Sequence, residues 1–225
     1  TSDVGRCIKM LLWFGTCCKN FHKWRKAVSA EAIKKSGYDS AVRDTDTALL
    51  RKVQGGIRTD FFGFLNGEIS GSVSASGDTL QSALANAWGK AQVQFEDDTA
   101  EMVYFVNPED VADYLGTAPI STQTAFGMNY VKDFLGLGTV FMSSRIKKGT
   151  FKATAKENLI MYYLTMNGDV ARAFELEADE LGYIGIKSGY QNEERAQIES
   201  LVMDGIQFLV EYAEGVIDGT IGAGA

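Results

Sequence analysis

The chain has 225 residues, which is enough for one large domain or two small ones and for a sizeable hydrophobic core. Its content of 45% hydrophobic and 23% charged residues is ordinary for a globular protein. The net charge of −7 argues against non-specific nucleic-acid binding, because such binding neutralises phosphates with Lys and Arg.

The charge is unevenly distributed along the chain. Residues 1–28 carry six Lys and Arg and one acid, whereas the remaining 197 residues carry 16 basic and 28 acidic side chains. The same segment holds large apolar residues without clear helical or strand periodicity, and such surface usually packs on something outside itself. We therefore expect a basic arm that lies on a neighbouring copy of the chain. The residues assigned to this contact are Trp13, Phe14, Phe21, Trp24 and Arg25.

Three cysteines lie at positions 7, 17 and 18. An odd number with two adjacent does not form a disulfide framework, and no C-x-x-C pair predicts zinc, so a reducing compartment is expected. The apolar run 10–18 is too short to span a bilayer, which takes about 20 residues. The residues that follow it do not resemble a signal-peptide cleavage site.

Helical patterns dominate the first part of the chain. Ser29 can cap a short helix that breaks at Gly37, and Asp44–Asp46 offers a second helix start. Apolar residues then recur at helical spacing up to Leu65, which predicts an amphipathic helix of about 20 residues. A further helix is expected after a cap at Asp78 or Thr79.

Strand and turn patterns dominate the rest. The sequence predicts strands at 101–106, 139–144, 150–155, 159–165, 181–187, 195–205 and 215–221. The Lys-Lys-Gly between the second and third of these predicts a hairpin. Helices followed by strands, without regular βαβ alternation, indicate an α+β fold.

Residue types that carry catalysis are sparse. The only histidine, His22, lies in the basic segment, where a surface or partner-facing role is preferred to catalysis. The acidic runs 96–101 and 175–180 are interpreted as solvated faces, and the first lacks the spaced ligands and glycine of a calcium loop. The sequence thus predicts no enzyme, no metal and no cofactor. The alternative is a carboxylate-dependent hydrolase that holds a divalent ion near 96–101.

The stretch YFVNPEDVADYL at 104–115 is predicted to join a strand to a helix. Asn107 can accept a hydrogen bond from the first helical turn, and Pro108 occupies the favoured first helical position. Glu109 and Asp110 then suit the positive end of the helix dipole. These acids are explained by helix capping without any substrate.

With its strand that runs into this Asn-Pro joint, the chain resembles the major capsid proteins of tailed bacteriophages. Their fold is shared with encapsulins and the herpesvirus capsid floor. The resemblance covers about residues 27–221 and depends on several segments in order. They are AVSAEAIKKSG at 27–37, LQSALANAWG at 80–89, the stretch 131–163 that begins VKDFLGLG, DELGYIGI at 179–186, and the closing GIQFLVEYAEGVIDGTI at 205–221.

The resemblance implies a peripheral domain with a long spine helix and long β-strands, and an axial domain with a mixed sheet flanked by helices. Residues 29–73 and 189–225 would form the peripheral domain, 74–188 the axial domain, and 1–28 the remnant of an N-terminal arm and extended loop. A clear two-stranded extended loop before the spine helix is absent from the sequence pattern.

The resemblance also implies a function. The protein would be a structural head protein that self-assembles into pentamers and hexamers, forming an icosahedral shell around phage DNA without sequence-specific binding. Its partners would be itself, a portal, and scaffolding or decoration proteins, with no membrane. It would be part of the virion and would assemble in the host cytoplasm. An encapsulin-type compartment that encloses a cargo protein is the alternative.

Overall fold

A computed structural model of the protein describes residues 21–67, 69, 73–96, 100–116, 122–125, 127–180 and 182–222. Within these ranges the helices are α1 (Ala30–Ser36), α2 (Tyr38–Gly67), α3 (Leu80–Phe95), α4 (Pro108–Leu115) and α5 (Gly168–Phe174). The first strands are β1 (His22–Ser29), β2 (Val73–Gly77), β3 (Met102–Val106), β4 (Gln123–Ala125), β5 (Met128–Val131), β6 (Thr139–Met142) and β7 (Thr150–Ala155). The later strands are β8 (Leu159–Tyr163), β9 (Glu177–Ala178), β10 (Ile184–Asn192), β11 (Gln197–Asp204), β12 (Ile206–Val210) and β13 (Ile217–Ile221).

The chain divides into two compact units, with a boundary at Gly55–Gly56 inside α2. Unit I comprises residues up to Gly55 together with Met161–Gln207, and unit II comprises Gly56–Ile160 and the residues from Phe208 onward. The predicted domains divide the chain at 73/74 and 188/189, whereas these units divide it at 55/56, 160/161 and 207/208. The last division arises because β13 hydrogen-bonds β2 and β7 and therefore belongs to the sheet of unit II.

Unit I contains a four-stranded sheet in the order β1-β11-β10-β9, and all its neighbours are antiparallel. The first half of α2 buries Leu49 and Val53. Two polar contacts join it to the sheet. Ser200 Oγ donates to Asp46 Oδ1 at 2.6 Å, and Lys26 Nζ donates to the carbonyl of Thr45 at 3.5 Å.

Unit II contains a mixed seven-stranded sheet in the order β2-β13-β7-β3-β6-β5-β4. β3 is buried at every position, runs parallel to β6 and antiparallel to β7, and its side chains alternate between two apolar clusters. Tyr104 packs with the buried face of α3, whereas Phe105 packs with Phe62 and Leu65 from the second half of α2. The sheet is therefore covered by a helix on each face.

Three local predictions are wrong. No hairpin joins β6 to β7, because the apolar strand β3 lies between them. α2 begins at Tyr38 rather than at Asp44, because the carbonyl of Gly37 already accepts the first helical hydrogen bond, from the Ala41 amide at 3.1 Å. Part of residues 1–28 is regular, since His22–Ser29 form β1. Among the helices that the structure describes, none is long and apolar enough to cross a membrane.

Candidate functional site

The described part of the chain holds no group of three or more His, Cys, Asp or Glu residues suited to a metal ion. In the acidic run 175–180, Glu175 pairs with Lys187 Nζ at 2.5 Å, and Asp179 Oδ1 accepts from the Ile184 amide at 3.0 Å. In the run 96–101, Glu101 pairs with Lys156 at 2.8 Å. Asp97 and Asp98 lie outside the described residues.

The joint between β3 and α4 is a helix cap. Asn107 Oδ1 accepts from the Glu109 amide at 2.9 Å, and Pro108 is the first helical residue. The same Asn107 side chain donates through Nδ2 to the carbonyl of Ile146 at 2.7 Å. One amide thus holds both the helix and the loop between β6 and β7.

Asp110 reaches the same loop. Its Oδ2 accepts from the Gly149 amide at 2.8 Å, a contact across 39 residues of sequence. Glu109 forms an exposed ion pair with Lys148 at 3.0 Å, which raises the pKa of that lysine. This pair contributes little to stability because water screens both charges. The acids of this stretch therefore fasten a loop to a helix start, and the long-range half of that role was invisible in the sequence.

Two of the residues assigned to an inter-subunit contact, Trp13 and Phe14, lie outside the described residues. Phe21 is half-buried just before β1. Trp24 lies on β1, where its Nε1 donates to Asp204 Oδ2 at 3.0 Å, and His22 Nδ1 lies 3.0 Å from Asp204 Oδ1. The carboxylate of Asp204 is fully buried. β1 is thus anchored to β11 by two aromatic side chains at its first residues.

Arg25, the last of the assigned contact residues, pairs within its own chain. Its Nε lies 3.1 Å from Oε2 of Glu199, a carboxylate with no solvent exposure, while the Arg25 side chain is 52% exposed. Glu199 also accepts from the Tyr190 hydroxyl at 2.7 Å and from Asn192 Nδ2 at 2.8 Å. These donors, Tyr190 first, hold the pKa of Glu199 below its ordinary value.

Sequence reasoning missed both buried acids, Glu199 and Asp204. They lie on β11, whose partners in β1 are more than 170 residues away in the chain. The signal in the sequence is a largely apolar strand, IESLVMD, that contains two acids. An acid on such a strand is tolerated in a buried position only when hydrogen-bond donors pair with it. The arrangement is a structural network of buried carboxylates and their donors.

No family model matches the chain, and no curated protein matches it. Solved structures do resemble it over nearly its whole length. The holo-SrpI encapsulin complex from Synechococcus elongatus is 11% identical with a TM-score of 0.55, and the match covers 89% of this chain and 73% of that one. A virus-like particle from Pyrococcus furiosus is 14% identical with a TM-score of 0.51, over 89% of this chain and 77% of that one.

A third similar structure is the mature capsid of bacteriophage PhiM1, 7% identical with a TM-score of 0.51, over 92% of this chain and 72% of that one. At these identities the likeness establishes the fold. The predicted fold is confirmed: the protein is α+β, with the fold that capsid proteins of phages share with encapsulins.

Proposed function

We propose that this protein is a structural shell subunit, the major capsid protein of a tailed bacteriophage. The observation that supports this most is the match of about nine-tenths of the chain to proteins described as a mature capsid, a virus-like particle and an encapsulin. The described residues support it further, since their buried acids are all held in structural networks. The proposed mechanism is self-assembly into pentamers and hexamers that close into an icosahedral container.

The proposed roles keep the two predicted domains, with β13 assigned to the mixed sheet that it joins. A peripheral domain carries α2 as its spine helix and the long antiparallel strands, and an axial domain carries the mixed sheet. The basic residues at the front of the chain contact a neighbouring copy, and the acidic remainder encloses double-stranded DNA without binding its sequence. A portal and scaffolding or decoration proteins are the further partners, and the subunit assembles in the host cytoplasm before it becomes part of the virion.

Electron microscopy of the purified protein tests the proposal. We expect negative-stain images to show closed shells tens of nanometres wide, after expression alone or with a scaffolding protein. Sedimentation velocity should show a particle far heavier than a single subunit. A full chain that remains monomeric under all assembly conditions contradicts the proposal.

The second candidate is an encapsulin-type compartment that encloses a protein cargo. It is favoured by the encapsulin match, whose TM-score of 0.55 exceeds the 0.51 of the virus-like particle and of the phage capsid. The contents of purified shells distinguish the two functions. Nuclease-protected DNA of uniform length supports the phage capsid, whereas a co-purifying protein without DNA supports the compartment.

A further inference from the structure

The four-stranded sheet of unit I ends in two strands of opposite charge. β1 carries Lys23, Arg25 and Lys26 and no acid, whereas the segment 175–180, which contains β9, carries four acids and no base. Among the residues that the structure describes, no strand pairs with the outer side of β1 or of β9. We call the outer side of β1 the basic edge, and the outer side of β9 with its flanking acids the acidic edge.

One cation of the basic edge is available for an outside partner. Arg25 is paired with Glu199, and Lys26 donates to the carbonyl of Thr45. Lys23 is exposed, and no described residue forms an ion pair with it. Because positively charged lysines on two edge strands repel each other, two basic edges do not pair.

The acidic edge has available charges of the opposite sign. Glu175 is paired with Lys187, and Asp179 is bound by the Ile184 amide. Glu177 and Glu180 are exposed, and the described residues offer neither of them an ion-pair partner. Two acidic edges would repel each other for the same reason as two basic ones.

The strand directions fit a contact between unlike edges. The sheet has four strands and every neighbour is antiparallel, so β1 and β9 run in opposite directions. A second copy placed beside the first in the same orientation therefore sets its β1 antiparallel to the first copy's β9. This continues the alternation of the sheet, and it uses two different surfaces, which makes the contact head-to-tail.

We propose that the basic edge of one copy docks against the acidic edge of a neighbouring copy, with Lys23 facing Glu180. The register of the sheet puts Lys23 on the same face as Ala178 and puts Glu177 on the opposite face. The inference rests on the proposed function, since it names one of the contacts through which shell subunits join. β9 has only two residues, so main-chain pairing is short and the charges carry much of the attraction. The contact is therefore sensitive to salt.

Zero-length cross-linking with a carbodiimide tests this pairing directly. Equal amounts of ¹⁴N- and ¹⁵N-labelled protein are assembled together, treated with the carbodiimide, digested and examined by mass spectrometry. We expect an amide between Lys23 of one isotope and Glu180 of the other, and a lower yield at high salt. Assembled protein without this mixed-isotope cross-link overturns the proposal.

Charge reversal provides a second test. K23E and E180K should each raise the protein concentration needed for half-maximal assembly about tenfold or more, because like charges then face each other. The double variant K23E/E180K should assemble nearly as well as the wild type, since every contact again joins opposite charges. The matched controls K34E and E194K change the net charge equally at exposed positions off both edges, and should assemble normally.

The outcomes separate the inference from the proposed function. Shells that form normally from K23E, or a double variant no better than the single ones, overturn the edge contact and leave the shell function standing. A wild-type chain that forms neither shells nor the mixed-isotope cross-link overturns both.

Discussion

At the scale of single residues, buried acids are the feature that needs explanation. Glu199 and Asp204 are both fully buried on β11, and each is held by donors from β1. A buried carboxylate is tolerated only when such partners replace water. The helix joint shows the opposite case: the Asn107 cap was readable in the sequence because the donors that it satisfies lie within the next helical turn.

Glu199 should make the stability of the protein depend on pH. Its pKa is lowered in the folded state, so its contribution is present above its ordinary value of 4.5 and is lost as the pH falls below it. E199Q should lower the free energy of unfolding by about 1–3 kcal/mol at neutral pH, because buried donors lose a charged acceptor. Urea unfolding from pH 7 to pH 3 should show this difference shrinking. A difference that is constant over this range contradicts the prediction.

Asp110 should matter through the loop that it holds. D110A should lower the free energy of unfolding by about 1–2 kcal/mol, because the Gly149 amide loses its acceptor and the helix start loses a negative charge. D113A, in the same helix but exposed, should change it by less than about 0.5 kcal/mol. Thermal unfolding of both variants checks this, and equal effects would show that the loop contact is unimportant.

At the scale of elements, the sequence predicts what is local and misses what is set by distant partners. The break at Gly37 and the cap at Thr79 are both present, because each depends on a few adjacent residues. β1 was missed because Lys26 occupies an inward position, where it reaches the carbonyl of Thr45. A lysine at an inward position interrupts the alternation of apolar and polar residues by which a strand is recognised in the sequence.

The close approach of β3 and β6 gives a prediction at this scale. A Cβ at Gly138 would lie 2.2 Å from the carbonyl oxygen of Met102, and Gly138 has a φ of +140°. G138A should therefore destabilise the protein by several kcal/mol, since backbone atoms must move apart. G136A is the matched control: its φ is also positive, at +72°, but nothing lies within 4 Å of an added Cβ. G136A should lower the free energy of unfolding, measured by chemical denaturation, by only about 1 kcal/mol. A G138A variant as stable as G136A contradicts this account.

At the scale of the whole molecule, the four-stranded sheet lies in unit I and the seven-stranded sheet lies in unit II. Fold class was predictable because the order of helices and strands is a property of the entire sequence. The unit boundaries were less predictable, because β13 pairs with β2 and β7, which lie far from it in the sequence.

This separation should be visible in hydrogen exchange. E199Q should speed amide exchange mainly in β1, β10 and β11, the strands that its side-chain network joins. G138A should speed it mainly in β3, β6 and β7. The reason is that each substitution weakens one sheet, and local opening is easiest where the packing and hydrogen bonds are weakened. Uniform acceleration in both variants would show instead that the units open together.

The position of β13 also bears on when the protein can fold during its synthesis. Among the strands that the structure describes, β2 is hydrogen-bonded only to β13, so Val73 has no strand partner until Ile217 has left the ribosome. Pairing between strands so far apart in the sequence is slow, because the entropy cost of closing the long intervening loop comes before any favourable contact forms. The unit II sheet is therefore completed only after β13 has been synthesised, and the surface that β2 and β13 form together cannot be offered to a neighbouring copy before then.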